Sequence, residues 1–247
     1  MKTCVVIPTC NRTQLLRDCI KSVDENTGGQ DLVIVVVDSS KPIIPVTSSR
    51  FETCTLPVDD SIGFSHAVNV GAEAGFSRYS ADFIVWLNDD CVVYKDWFTP
   101  MYSLMEGSAR NKLKVGIGVF FFSDNRWPGQ PPHVFFYKNQ AYPCFGCLPR
   151  NVWAELQGFD ERYFSYGAET DIAFRCIQKG YLVEAVKGAC IHHLYVKDEF
   201  RVAHMKSMGT SYEDLRVSMY GEDSPDDLHW MDEKGNCETH RQYGESR

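Results

Sequence analysis

Two groups of carboxylates in this sequence could do chemistry. Asn88-Asp89-Asp90 follows the apolar run Asp82–Leu87, and Glu169 and Asp171 lie in the segment Gly167-Ala-Glu-Thr-Asp-Ile-Ala-Phe-Arg175. Adjacent acids at the end of a buried strand face apart, so one turns toward a ligand and the other away. Such an acid can hold a divalent cation, which in turn neutralises phosphate. A plain turn after the strand is the competing reading, because Asn and Asp favour turns. Glu169 and Asp171 are two residues apart on a presumed helix, about 200° round its axis, so both cannot serve one site. Asp171 has Arg175 four residues on, a pair with a purely structural explanation. Glu169 has no such partner and sits at the helix start, where a carboxylate can act as a general base.

The elements that must carry these residues alternate strand and helix. Thr3–Ile7 is an apolar run ended by Pro8, and Asn11 or Thr13 can cap the helix that follows. Leu15, Leu16, Cys19, Ile20 and Val23 recur at helical spacing until Gly28-Gly29. Leu32–Val37 reads as a strand buried on both faces of a parallel sheet and ends in Asp38. A weak strand is expected near Cys54–Val58, a helix over Gly63–Phe76 and a buried strand over Asp82–Leu87. Polar residues thus stand at carboxyl ends of strands, the edge where open α/β sheets bind ligands.

Further expectations are a helix over Lys95–Met105, a strand over Val115–Phe122, a loop over Ser123–Pro132, and short strands near Val134–Tyr137 and Ala141–Phe145. A helix runs from Pro149 to Leu156, another over Glu169–Lys179, and a strand over Tyr181–Val186. His192-His193 close a separate apolar run, Ala189–Ile191. Beyond them a loose helical pattern from Phe200 to Leu215 suits either a static helix or a lid, with a frayed end from about Gly221. Trp127, in a loop with Pro128 and Pro131, is the aromatic best placed to touch an acceptor.

What is missing narrows the chemistry. The first strand-to-helix turn, IPTCNRTQ, has no glycine, so the dinucleotide fingerprint is absent, as is any Walker sequence. A nucleotide bound here needs its phosphate charge met by other means, and carboxylate-held metal is one. The net charge of −8 argues against nonspecific nucleic-acid binding. Residues 195–247 carry 12 acids and 7 bases, against 21 and 18 in the first 194, so the bulk is nearly neutral and the tail acidic. No apolar run approaches the ~20 residues of a membrane span, and the expected location is cytoplasmic. The ten cysteines are scattered, with one Cys-x-x-Cys at Cys144–Cys147, which reads as reduced, core-filling thiols better than as zinc.

In order, VVIPTCNRTQLLRDCIKSV, IVVVDSS, GFSHAVNVGAEAG, FIVWLNDDC and GCLPRNVWAELQGFDERYFSYGAETDIAFRCIQKGY resemble family 2 glycosyltransferases of the GT-A fold, over about residues 3 to 193. The resemblance implies one α/β domain with a mostly parallel sheet flanked by helices. Its nucleotide-binding half would be 1–91, its acceptor half 92–194, and 195–247 a polar tail. It implies inverting transfer from a UDP- or dTDP-type sugar to an acceptor hydroxyl, with Mn²⁺ or Mg²⁺ bridging the diphosphate. By the same resemblance Asp38 meets the nucleoside, Thr9 and Arg12 border the base pocket, and Asp60 lies near base or ribose. Asp89 would lie by the donor ribose or sugar, and Asp90 on the metal. Asn88 departs from the acid more usual at its position. Glu169 falls where the family's base stands, though usually as aspartate, so either it or Asp171 carries that role. One of His192 and His193 would complete the metal shell, His192 being preferred. A catalytically silent sugar-nucleotide or glycan-binding module on the same fold is the alternative. A nucleotidyltransferase shares the metal logic but lacks its Gly-rich loop.

Overall fold

The computed structural model describes residues 1–59, 62–111, 114–137, 140–164, 167–196 and 228–239. It is a single α/β domain built on one continuous sheet with helices on both faces. In chain order the elements are β1 (Lys2–Thr9), α1 (Thr13–Asn26), β2 (Asp31–Asp38), β3 (Glu52–Pro57), α2 (Gly63–Tyr79), β4 (Phe83–Trp86) and β5 (Cys91–Val93). There follow α3 (Thr99–Asn111), β6 (Val115–Asp124), β7 (His133–Tyr137), β8 (Gln140–Ala141), β9 (Gly146–Pro149), α4 (Arg150–Leu156) and α5 (Ala168–Gln178). β10 (Leu182–His193), β11 (Leu228–Asp232) and β12 (Cys237–Thr239) complete the chain's described elements.

The sheet runs β12-β11-β7-β6-β9-β4-β1-β2-β3, with β10 lying against β6 and β5. β3, β2, β1 and β4 are all parallel, as is β10 on β6, and these carry most of the ladder. Antiparallel pairs gather around β7, β9 and β11. The β-branched run of β2 is buried on both faces, as its unbroken apolar pattern requires. One core layer packs α2, α4 and α5 on one face; the other packs α1, α3, Trp97 and Phe98 on the opposite face. α2 crosses β1 very closely. A Cβ at Gly71 would collide with Val6 and one at Gly75 with Cys4, so the Ala/Gly composition of this helix sets its distance from the sheet.

Several boundaries differ from the sequence reading, each for a local reason. Neither Asn11 nor Thr13 caps α1. Arg12 occupies that position without a side-chain cap, and Asn11, at φ 55°, accepts from the Lys41 backbone N–H (3.1 Å). The helix expected from Lys95 starts at Thr99, because Asp96 takes a left-handed turn (φ 57°) that sends Trp97 and Phe98 into the core. Near Ala141–Phe145 the chain makes two short strands split by Pro143, which has no N–H to donate. Tyr181–Val186 and Ala189–His193 are one strand, β10. Its register on β6 shifts between Val186 and Cys190, where Gly188 sits at φ 82°.

The frayed end expected after Gly221 is instead a hairpin over 228–239. β11 pairs antiparallel with β7, and Trp230 is buried against His133. Asp232 holds the turn by accepting from Lys234 N–H, Asn236 N–H and the Asn236 amide. The helix or lid expected at 200–215 lies outside the described residues.

Candidate active site at the carboxyl edge of the sheet

β1, β2, β4, β6 and β10 end at one edge, and their last residues build the site. Thr9 and Asp38 are register partners at the ends of β1 and β2, and Asp124 and His193 are partners at the ends of β6 and β10. Buried apolar strands position these polar ends. The backbone has no freedom inside the sheet, and the first residues past it inherit that rigidity.

Asp89 and Asp90 diverge, as adjacent residues past a strand must. Asp89 turns to the β1–α1 connection. Its Oδ2 accepts from the Thr9 hydroxyl (2.8 Å) and its Oδ1 from Arg12 Nη1 (3.2 Å). Burial raises its carboxyl to about 6, against the pull of Arg12 and Thr9. Thr9 and Arg12, expected at a base pocket, therefore hold Asp89, and Arg12 also donates to the Val196 carbonyl (3.3 Å). Asp90 is fully buried and faces His193, with its Oδ2 still 3.8 Å from Arg12 Nη1. Its Oδ1 lies 3.2 Å from His193 Nε2, and its Oδ2 accepts from Val196 N–H (3.0 Å). Asn88 places its amide nitrogen 3.5 Å from the same His193 Nε2.

Of the two histidines it is His193, and not the preferred His192, that faces Asp90. Successive strand residues point to opposite faces, and His192 points to Ser123, with Nδ1 2.6 Å from its hydroxyl. His193 Nδ1 lies 3.1 Å from Asp124 Oδ2. Burial pulls the imidazole down, but Asp124 and Asp90 outweigh it and hold His193 above its ordinary value. Asp124 itself, buried yet bonded to His193 and Arg126, stays well below the usual carboxylate range. Neither Asp124 nor Arg126 was singled out by the sequence reading. The signal was present nonetheless, since Asp124 is a polar residue closing a buried apolar strand, like Asp38.

Asp38 is buried, and its Oδ1 accepts from Ser40 N–H (2.8 Å). Asp60 lies outside the described residues. Trp127 is half-buried. Arg126 covers its ring at 4.4 Å, and His133 and Phe135 meet it edge-on.

Glu169 and Asp171 part on α5 as their spacing requires. Asp171 is buried against Arg175, whose Nε (2.7 Å) and Nη2 (2.5 Å) reach its Oδ2. The same guanidinium donates to the carbonyls of Leu156 and Gly158 and so fixes the turn before α5. That turn is tied to α2 in its own right. Asn69 bonds Phe159 in both directions (2.9 Å each), and Phe64 N–H donates to the Phe164 carbonyl (2.7 Å). Glu169 is half-buried, and burial raises its carboxyl to about 7. Burial raises the Cys144 thiol, and the charges of Glu169 and Asp124 raise it further against the pull of Arg126.

Fold and site together define an α/β protein of the GT-A glycosyltransferase class. Residues 4–154, more than half of the chain, match the family model for glycosyl transferase family 2, and the chain belongs to that family. Among solved structures, the fold is shared with the mannosyltransferase PcManGT from Pyrobaculum calidifontis, in complex with GDP-Man and Mn²⁺. The TM-score is 0.58 at 13% identity, over 83% of this chain and 60% of that one. It is also shared with S. aureus TarS, with a TM-score of 0.57 at 14% identity, over 91% of this chain and 40% of that one. The chain thus spans less than two thirds of the length of either. No curated protein sequence matches it. Among the described residues no helix is long and apolar enough to cross a membrane.

Proposed function

We propose that this glycosyltransferase performs inverting transfer from a nucleoside-diphosphate sugar to an acceptor hydroxyl, with a divalent cation at Asp90 and His193 and Glu169 as the base. The observation that carries the reading is the fully buried Asp90 carboxylate, 3.2 Å from the ring nitrogen of His193 at the sheet edge.

Two donors on one cation at about 2.1 Å each stand roughly 3 Å apart, so the pair suits Mn²⁺ or Mg²⁺. Among the described residues no three His, Cys, Asp or Glu side chains could hold a metal by themselves. Asp90 and His193 would therefore hold the cation together with the donor, as Mg²⁺ is commonly bound by one or two protein ligands plus substrate phosphates. PcManGT, which shares the fold, was solved in complex with GDP-Man and Mn²⁺. When bound, the cation supplies charge neutralisation for the leaving diphosphate.

The chain's own residues supply the rest. Asp38 offers a buried carboxylate to the nucleoside, and Asp89, fixed by Thr9 and Arg12, lines the donor side with Asn88. UDP or dTDP is the donor type a strand-end carboxylate suits, through ring N–H and ribose hydroxyls. Glu169, poised near neutrality, accepts the acceptor's proton as its oxygen attacks opposite the diphosphate. A catalytically silent module would leave Glu169 solvated, whereas it is half-buried and its carboxyl raised. Asp171, bound to Arg175, orients the helix that carries the base.

Calorimetric titration of UDP, dTDP and GDP with and without Mn²⁺ tests the donor side. Nucleotide binding that ignores Mn²⁺ would overturn the cation role.

A further inference from the structure

Asp124 and Arg126 have no part in the reading above, yet they stand directly behind His193. The Asp124 carboxylate is fully shielded from solvent and divided between two partners. Oδ1 accepts from Arg126 N–H (2.7 Å) and Nε (2.9 Å), while Oδ2 accepts from Arg126 Nη2 (2.7 Å) and meets His193 Nδ1 (3.1 Å). Arg126 is fixed in its turn. Its guanidinium lies 4.4 Å from the Trp127 ring centre and 4.1 Å from that of Tyr195.

The same Asp-x-Arg fork recurs at Asp160–Arg162, where Arg162 N–H (3.0 Å), Nε (3.0 Å) and Nη2 (2.5 Å) grip Asp160. There the arginine is 85% exposed and no imidazole is attached. The fork alone is therefore a turn device. Two flanking rings, an arginine side chain only 36% exposed and contact with a histidine are what distinguish the copy at Asp124.

We propose that Asp124 is a positioning residue for the cation site. Once a cation takes the place of the proton between Nε2 and Asp90, a carboxylate at Nδ1 would keep the remaining ring proton there and leave the Nε2 lone pair for the cation. Arg126, clamped between Trp127 and Tyr195, holds the Asp124 carboxylate against rotation. Trp127 then serves the site through Arg126. This inference rests on the assignment of Asp90 and His193 to the cation.

The test titrates Mn²⁺ into the full chain, alone and with UDP, dTDP or GDP, for wild type, Asp124→Asn, Arg126→Lys and Asp90→Asn. Outer carboxylates of this kind are worth about 10–100-fold in metal affinity. Asp124→Asn should weaken Mn²⁺ by that factor with cation-free nucleotide binding unchanged, and Arg126→Lys should weaken it less. In the wild-type Mg²⁺–nucleotide complex, the ¹⁵N spectrum should show His193 protonated at Nδ1 and not at Nε2. Should Asp124→Asn fail to fold, Arg126→Lys and that spectrum decide. Unchanged Mn²⁺ affinity in Asp124→Asn, alongside its loss in Asp90→Asn, makes the fork purely structural and overturns the proposal. An Nε2-protonated His193 overturns it as well. Full Mn²⁺ affinity in Asp90→Asn removes the cation assignment itself.

Discussion

The two acid pairs, Asp89–Asp90 and Glu169–Asp171, solve one problem in opposite halves of the molecule. In each, an arginine holds one acid most closely. Arg12 binds Asp89 at 3.2 Å and stands 3.8 Å from Asp90, while Arg175 binds Asp171. Asp90 and Glu169, the other members, are then treated differently. Asp90 is held between His193, the Val196 N–H and Arg12. Burial, against the pull of its own backbone N–H, sets the Glu169 carboxyl near 7. A fixed, charged group suits a cation; a group poised between protonation states suits proton transfer.

The largest expected effect breaks the first pair. Asp90→Asn keeps the shape of the side chain but removes its charge, and should abolish Mn²⁺-dependent nucleotide binding in calorimetry while the melting curve stays cooperative. Binding that survives intact would leave Asp90 a structural acid and the comparison one-sided. Glu169→Gln comes next. A general base contributes about 10²–10⁴ in rate, so turnover should fall by that factor with donor affinity little changed. An active Glu169→Gln together with a folded, inactive Asp171→Asn would exchange the roles within the second pair.

The protonation of Glu169 gives a third, smaller effect. The base works as carboxylate, so kcat should rise with pH through about 7 and level off above it. Asp171→Asn should leave that midpoint in place. A wild-type profile flat from pH 5.5 to 8.5 would mean that a different group takes the proton.

How much of this the sequence disclosed depends on how far apart the partners lie. Arg175 is one helical turn from Asp171, so their pairing followed from spacing. The strands β2, β4 and β6 were legible from unbroken apolar runs, and with them the edge where Asp38, Asp90 and Asp124 stand. Arg12 reaches Asp89 across 77 residues and Asp124 reaches His193 across 69, and no local pattern encodes either contact. The choice between His192 and His193 needed the register of β10, which the Gly188 bulge shifts. Parity counted from a strand wrongly ended at Val186 carries no information about which face His193 takes. The β11–β12 hairpin was hidden because acidic and polar residues flank its short apolar centre, Trp230-Met231, so composition favoured a loose tail.

Asp171→Asn sharpens the contrast on the side of stability. It removes one partner of a largely buried ion pair and leaves Arg175 to hold two carbonyls alone, a cost of about 1–3 kcal/mol. For a chain of this size each kcal/mol shifts the melting temperature by roughly 2–4 °C, so a drop of several degrees is expected. An unchanged melting temperature would show that the Arg175 bonds to the carbonyls suffice to fix the turn.

Glu169→Gln should change stability in the opposite sense, and only as the pH rises. The folded carboxyl titrates at about 7, above its ordinary 4.5 in the unfolded chain, so folding favours the protonated form. That contribution is fully present below pH 4.5 and is lost as pH rises through 7. At pH 8.5 the wild type therefore carries a buried charge that glutamine, a neutral isostere, does not. Glu169→Gln should melt above wild type at pH 8.5, and the gap should close on acidification toward pH 4.5. Thermal melts of both proteins across that range decide it. A gap of constant size at every pH would show that Glu169 folds with an unshifted carboxyl, and the distinction drawn between Asp90 and Glu169 would then rest on the kinetic profile alone.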